Sequence, residues 1–317
     1  MCAIAILAIA PMLAQAQSLS ERRKSKEQAV QFTAEVAAGR PDKEGFAVVI
    51  PALNDRLGDK NISLTRLSGK GSVESVDALC DGDVNMAVVQ ADVLVQRVTG
   101  VNSNKSDCSN KLVILGPALW PYVIYAIALN DDKAPDSLDG MYSNLRPGNS
   151  LRIAAGGGGS GGEQTLRNIL GANSEWKQAT SIQPDGADTA FSKMKDKEID
   201  VFIVADGPHS PLLNQVRDEI NPDTKKPRYK FVSVESPKLM RATYNRGQKL
   251  YGSYKLSGGW FGSRNTIVTV GVLAVRDDYY RANGAVMGNV RQAEEDSLPD
   301  IATKTGADTN WLVKYFN

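Results

Sequence analysis

Apolar and polar positions alternate along this chain in two recurring rhythms. Val30–Ala34 reads as a strand, with Val30, Phe32 and Ala34 on one face. A polar loop, Gly39–Gly45, separates it from Phe46–Leu57, where Phe46, Val49, Ile50, Leu53 and Leu57 repeat at helical spacing. Pro51 falls inside that segment, so the helix is expected to start or kink there. Ile62, Leu64 and Leu67 mark a second strand, and a helix runs from Gly71-Ser72 through Leu79 with Ser72 as candidate N-cap. Val84–Val89 is a third strand, nearly all apolar, as suits one covered on both faces. A helix over Ala91–Val98 and strands over Leu112–Leu115 and Tyr122–Leu129 complete the first block.

The same grammar restarts at Leu151. Strand, glycine turn and helix (Gly162–Leu170) lead to a strand near Ala179–Ile182 and a helix over Ala187–Met194. A strand over Ile199–Val204, a helix over Pro211–Ile220 and a strand over Tyr229–Val234 follow. Strand–helix alternation of this kind predicts parallel α/β sheets with right-handed crossovers. Thr266–Val275 is a late strand, followed by a helix over Tyr279–Ala293 and a C-terminal helix. The tail is expected to return to the first block. The expected division is lobe I over 17–125 plus 265–317 and lobe II over 126–264, with crossings near Tyr122–Leu129 and Thr266–Val275. Ligands of open α/β sheets sit beyond the carboxyl ends of strands, so a cleft between the lobes would collect those ends from both.

The densest chemistry lies in Leu151–Leu170, LRIAAGGGGSGGEQTLRNIL. Four glycines, Gly156 to Gly159, end a short apolar run, then Ser160, Gly161 and Gly162 open a helix. Glycine lets a guest approach the backbone, and a helix start aims free N–H groups and partial positive charge at it. That is a seat for a carboxylate or phosphate, although Glu163 is placed to fill part of it.

Length and composition limit the classes. With 317 residues, 42% apolar and 23% charged, the chain has the profile of a two-lobed globular protein. A net charge of +1, without a basic stripe, argues against a nucleic-acid surface. Residues 1–20 carry no charge; Cys2–Leu13 is apolar and Ala14-Gln15-Ala16 is a small-residue cleavage pattern. This reads as a signal peptide over 1–16 without the usual positive start, the alternative being a buried first element. Export places the protein in the periplasm. No later stretch is long enough to be a membrane span. Cys80 and Cys108 remain, and either a disulfide or two free thiols fits them. No metal site is expected, with His209 the lone histidine and no CxxC spacing, and no cofactor is expected either.

Three segments, in order, resemble the TAXI family, the extracytoplasmic solute-binding subunits of one class of TRAP transporter. They are Gly71–Val93 (GSVESVDALCDGDVNMAVVQADV), Ile153–Leu170, and Ala190–Leu213 (AFSKMKDKEIDVFIVADGPHSPLL), with weaker support from Thr269–Asp278. The first loop departs from the family's glycine-rich, paired-tyrosine form: AAGRPDKEGFAVV carries Phe46 and no tyrosine. The resemblance implies a two-lobed periplasmic-binding-protein type II fold, no catalysis, and a monomer that delivers a small carboxylate-bearing solute to a TRAP-type permease. Amino acids such as glutamate and small dicarboxylates are candidate solutes. In that frame Ser160 hydroxyl and the Gly161 and Gly162 N–H groups hold the carboxylate. Ser72 offers the same from lobe I, Gln90 orients the solute, Asp206 meets an amino group or water, and Phe46 walls the pocket. Simpler roles compete with these: N-caps for Ser72 and Ser160, a helix cap for Gln90, a surface turn for Asp206 and His209.

Two other readings use the same glycines. Gly158–Gly162 matches G-x-S-x-G, the nucleophile elbow of an exported serine hydrolase, which would pair Ser160 with His209 and an aspartate such as Asp185 or Asp200. The slack of the flanking glycines opposes it. Gly156, Gly158 and Gly161 also spell G-x-G-x-x-G, but Asp185, the nearest acid at dinucleotide spacing, sits in a Pro-Asp-Gly turn. A P-loop is excluded by the missing Gly-Lys-Ser/Thr. A ligand-sensing domain without transport would share the same fold.

Overall fold

The computed structural model describes residues 32–99, 108, 111–131, 134–244, 248–256 and 262–307. The expected signal peptide lies outside them. In the first block β1 (Phe32–Ala37) pairs in parallel with β2 (Ile62–Leu67) and with β3 (Met86–Gln90). Between β1 and β2 a π-helical turn over Gly45–Val49 runs directly into α1 (Ile50–Leu57). Pro51 sits in the first turn of α1, where its missing N–H leaves no bond unmade, so it starts the helix instead of breaking it. α2 (Ser72–Asp81) and α3 (Ala91–Thr99) flank β3. Gly71, not Ser72, is the N-cap of α2; Ser72 is its first helical residue. Short β4 (Leu112–Ile114) and long β5 (Trp120–Leu129) follow, as the apolar runs predict.

The second block opens with α4 (Leu138–Ser143), then β6 (Leu151–Ala154), α5 (Gly161–Ala172), α6 (Ser174–Gln178) and β7 (Thr180–Gln183). It continues through α7 (Ala187–Lys195), β8 (Val201–Asp206), α8 (Pro211–Asp218) and β9 (Tyr229–Val232). β6 is parallel to both β7 and β8. A two-residue hairpin, β10 (Thr243–Tyr244) and β11 (Gln248–Lys249), precedes β12 (Gly252–Leu256) and the thirteen-residue β13 (Arg264–Arg276). The expected pair of terminal helices is divided differently. α9 (Asp277–Ala282) is one turn and a half, and α10 (Gly284–Thr305) continues through Pro299 as one long helix.

The main sheet runs β2-β1-β3-β13-β5-β8-β6-β7. Its two parallel sets are joined by β5 and β13, antiparallel to their neighbours. The start of β13 pairs with β12 and its end with β3 and β4; the start of β5 pairs with β13 and its end with β8 and β9. β13 thus borders the first set through β3, β5 borders the second through β8, and the two pair with each other. Nearly every side chain of both is buried, which explains their unbroken apolar runs. α1 and α10 cover one face of the β2-β1-β3 set with Ile50, Leu53, Leu57, Met287 and Val290. A disulfide joins Cys80, in the last turn of α2, to Cys108. Among the described residues no helix is long and apolar enough to cross a membrane.

Candidate functional site

A cavity of about 620 Å³ lies where strand ends from both blocks converge. From the first block come the turn after β1 (Ala38–Lys43), the turn before α2 (Lys70–Ser72) and Gln90 at the end of β3. From the second come the glycine loop after β6, Gly186-Ala187 after β7 and Asp206 with Ser210–Leu212 after β8. Tyr122 of β5 also lines it.

The glycine loop is shaped by its own caps. Gly156 and Gly159 adopt φ of +83° and +80°, which glycine alone takes without strain. Ser160 is the N-cap of α5: its Oγ accepts the Glu163 N–H at 3.2 Å and donates to the Ala155 carbonyl at 2.9 Å. The hydroxyl proton expected to hold a solute is thus committed inside the loop. Glu163 turns to the opposite side, where its carboxylate accepts the Gly159 N–H at 2.8 Å and pairs with Arg167 at 2.6 Å. It leaves the seat open. Among the described residues the Gly161 and Gly162 N–H groups have no acceptor, and both residues line the cavity. Gly162 also needs its bare Cα, because a Cβ would stand 3.1 Å from the Ala155 carbonyl and 3.3 Å from the Ala205 nitrogen.

The opposite wall meets this loop closely. An atom at the Cβ position of Gly71 would be 3.8 Å from the Ser160 Cα. Ser72 Oγ accepts the Gln90 N–H at 3.1 Å, which leaves its own proton to donate. Gln90 packs its amide against Gly161. Asp206 is 5% exposed and meets an amino group from within the chain: Lys43 Nζ lies 2.8 Å away. Ser210 Oγ donates to the same carboxylate at 2.6 Å and the Gly207 N–H at 3.0 Å, so the simple surface turn does not hold. Glu44, beside Lys43, rests on Gly207; burial, then the Asp206 charge, pushes its carboxyl above the usual range. Burial likewise pushes the Tyr122 hydroxyl well up, so it is a neutral donor at any working pH.

The cavity's charges are unequal. Arg40 pairs with Asp42 and Lys43 with Asp206, whereas Lys70 has no ion-pair partner among the described residues. Lys70 stands directly before the Gly71–Ser72 helix start. Sequence reading passed over Lys43, Lys70 and Tyr122; a lysine bordering a Gly-Ser helix start was the available signal.

Phe46 does not line the cavity. It lies within the π-helical turn, its ring 4.6 Å under the Arg66 guanidinium, and its carbonyl accepts from Arg66 at 3.0 Å. The chain is already helical there, which turns residue 46 toward β2 and leaves Ala38–Lys43 to form the wall. Nor does a triad assemble. His209 is exposed with its ring against Gly306, Asp185 pairs with Lys193 at 2.8 Å, and Asp200 binds Arg152 at 2.5 Å.

Residues 47–276 match the model of the NMT1-like family. The chain belongs to the NMT1-like family. As an NMT1-like protein it has solved structures as neighbours. A protein from Bordetella bronchiseptica RB50 superposes with a TM-score of 0.51 at 11% identity, over 90% of this chain and 76% of that one. YhfZ from Shigella flexneri gives 0.50 at 12% identity, over 90% and 96%. The alkanesulfonate-binding protein SsuA from Xanthomonas axonopodis pv. citri, bound to MOPS, gives 0.49 at 12%, over 89% and 82%. At such identities the likeness concerns the fold. This NMT1-like chain has an α/β fold, a mixed sheet flanked by helices. No curated protein compared with it matches in sequence.

Proposed function

We propose that this protein is an extracytoplasmic solute-binding protein that captures a small carboxylate-bearing solute and delivers it to a TRAP-type permease. One observation carries the reading. At the start of α5 two N–H groups without an acceptor among the described residues face a cavity whose lining includes Lys70, a lysine without an ion-pair partner among those residues. A helix start with free N–H groups favours an anion, and a nearby cation adds to it. Strand ends from both blocks reach the cavity, so a bound solute touches both. Contacts of that kind stabilise a closed state over an open one, the whole mechanism of a binding protein. The two lobes would divide at β5 and β13, the antiparallel pair between the two sets.

The TRAP partner and the periplasmic location rest on the sequence resemblance to TAXI subunits and on the apolar N-terminal stretch. Mass spectrometry of what co-purifies with the natively purified protein tests the reading; a small organic acid is expected. Ser160→Asp is the matching variant. Aspartate caps a helix as well as serine but cannot donate to the Ala155 carbonyl, so the variant's fold is verified by circular dichroism before binding is read. Its charge beside the Gly161 and Gly162 N–H groups should abolish carboxylate binding by calorimetry. Unchanged affinity would remove the seat.

A further inference from the structure

Behind the cavity wall lies a carboxylate that sees no solvent. Asp92, in the first turn of α3, is fully buried. Its Oδ1 accepts the Val93 N–H at 2.9 Å and the Gln90 amide nitrogen at 3.3 Å. Its Oδ2 accepts the Thr165 hydroxyl at 2.6 Å, the Tyr251 hydroxyl at 3.1 Å and the Asn168 amide nitrogen at 3.4 Å. These donors come from α3, from the end of β3, from α5 and from the residue before β12. Burial pushes the Asp92 carboxyl above the usual range, opposed by the hydrogen bonds it accepts.

The arrangement fixes an amide that would otherwise be free to flip. Thr165 spends its proton on Asp92, so toward Gln90 its oxygen is an acceptor. Two acceptors, Asp92 Oδ1 and Thr165 Oγ1, therefore converge on the Gln90 nitrogen. The Gln90 carbonyl oxygen is left on the other side, against Gly161. An atom at the Cβ position of Gly161 would fall 1.5 Å from it. Among the described residues that oxygen has no donor, and Gln90 lines the cavity beside the Gly161–Gly162 seat.

We infer that Asp92 is a positioning residue that presents the Gln90 carbonyl oxygen to the solute. The site would then select an anion bearing a hydroxyl or ammonium donor on the carbon next to its acidic group. This rests on the binding reading above and narrows its solute class. A bare acid would leave the Gln90 oxygen without a donor; a neighbouring hydroxyl supplies one.

Calorimetry on matched acids tests it: 2-hydroxybutyrate against butyrate, malate against succinate, and 2-hydroxy-4-methylpentanoate against 4-methylpentanoate. In the wild type, each hydroxy acid that binds should do so about five- to tenfold more tightly than its bare partner. The ratio should fall to within about twofold in Asp92→Asn and in Gln90→Met. Should Asp92→Asn fail to fold, side-chain amide exchange read by NMR on glutamine-labelled wild type carries the positioning claim. The Gln90 signal, identified by its loss in Gln90→Met, should exchange slowly with water. A wild-type ratio near one, a ratio intact in either variant, or a rapidly exchanging Gln90 amide overturns the inference. If the wild type binds no acid of any pair, the binding reading falls with it; equal binding of both members removes this inference alone.

Discussion

Ser160 and Gly161 are neighbours with opposite tasks. Ser160 ties the loop to itself through Ala155 and Glu163, while the next two backbone N–H groups have no acceptor among the described residues. Sequence reading placed an anion seat at this helix start and gave it the serine hydroxyl, because nothing in the string GGGGSGGE shows where the hydroxyl proton goes. Another residue works without any partner. Glu294 of α10 is wholly buried against Gly116, and neither carboxylate oxygen is hydrogen-bonded among the described residues. Burial pushes its carboxyl well above the usual range, so it is neutral when folded. In the unfolded chain it ionises from about pH 4.5 upward. Above that pH the unfolded state releases a proton that the folded state keeps, so this group's contribution to stability declines as pH rises, until the folded pKa is passed. Glu294→Gln should remove that decline. Urea unfolding at pH 5 and pH 8 should show the variant gaining on the wild type with rising pH, and parallel curves would refute it.

Among elements, α2 is the one held covalently at its far end. Cys80 is the next-to-last residue of α2, and its sulfur is bonded to that of Cys108. A cross-link over this span contributes about 3 kcal/mol, chiefly by restricting the unfolded chain. Replacing both cysteines by alanine should lower the urea-unfolding free energy by about that amount, and reductant should then have no further effect. Equal stability of the two forms would refute it. Elements with sustained periodicity were legible in the sequence: β3, β5, β8, β13, α5 and α7 fall within a few residues of their predicted bounds. α4 and α6 were not, being five or six residues long, too short to show a repeat. Asp92 was equally hidden. A single acid in an apolar helix reads as a tolerated charge until Thr165, Asn168 and Tyr251 arrive from distant parts of the chain.

At the scale of the molecule, the cavity has a strap across it. Lys43 and Glu44 from the first block reach Asp206 and Gly207 from the second. The ion pair joins a half-exposed lysine to a buried carboxylate, so solvent screens it only in part. Lys43→Met leaves Asp206 to its two remaining donors and to Glu44 nearby. We expect the solute-free variant to favour a wider separation of the blocks, read as a larger radius of gyration by small-angle scattering. Apparent affinity should fall about fivefold, as the competent state becomes rarer. An unchanged radius and affinity would show that Lys43 plays no part in closure.

The order of strands also sets when this molecule can come into being. β13 stands between β3 and β5, yet among the described strands it is the last to be synthesised. No stretch of chain that stops short of residue 264 can close the sheet between β3 and β5. A nascent polypeptide must keep its halves waiting for a partner some 170 residues downstream of β3, a separation that slows folding. If the chain is exported as proposed, such tardiness would be an advantage: the final knitting of the sheet would wait until β13 had crossed as a thread.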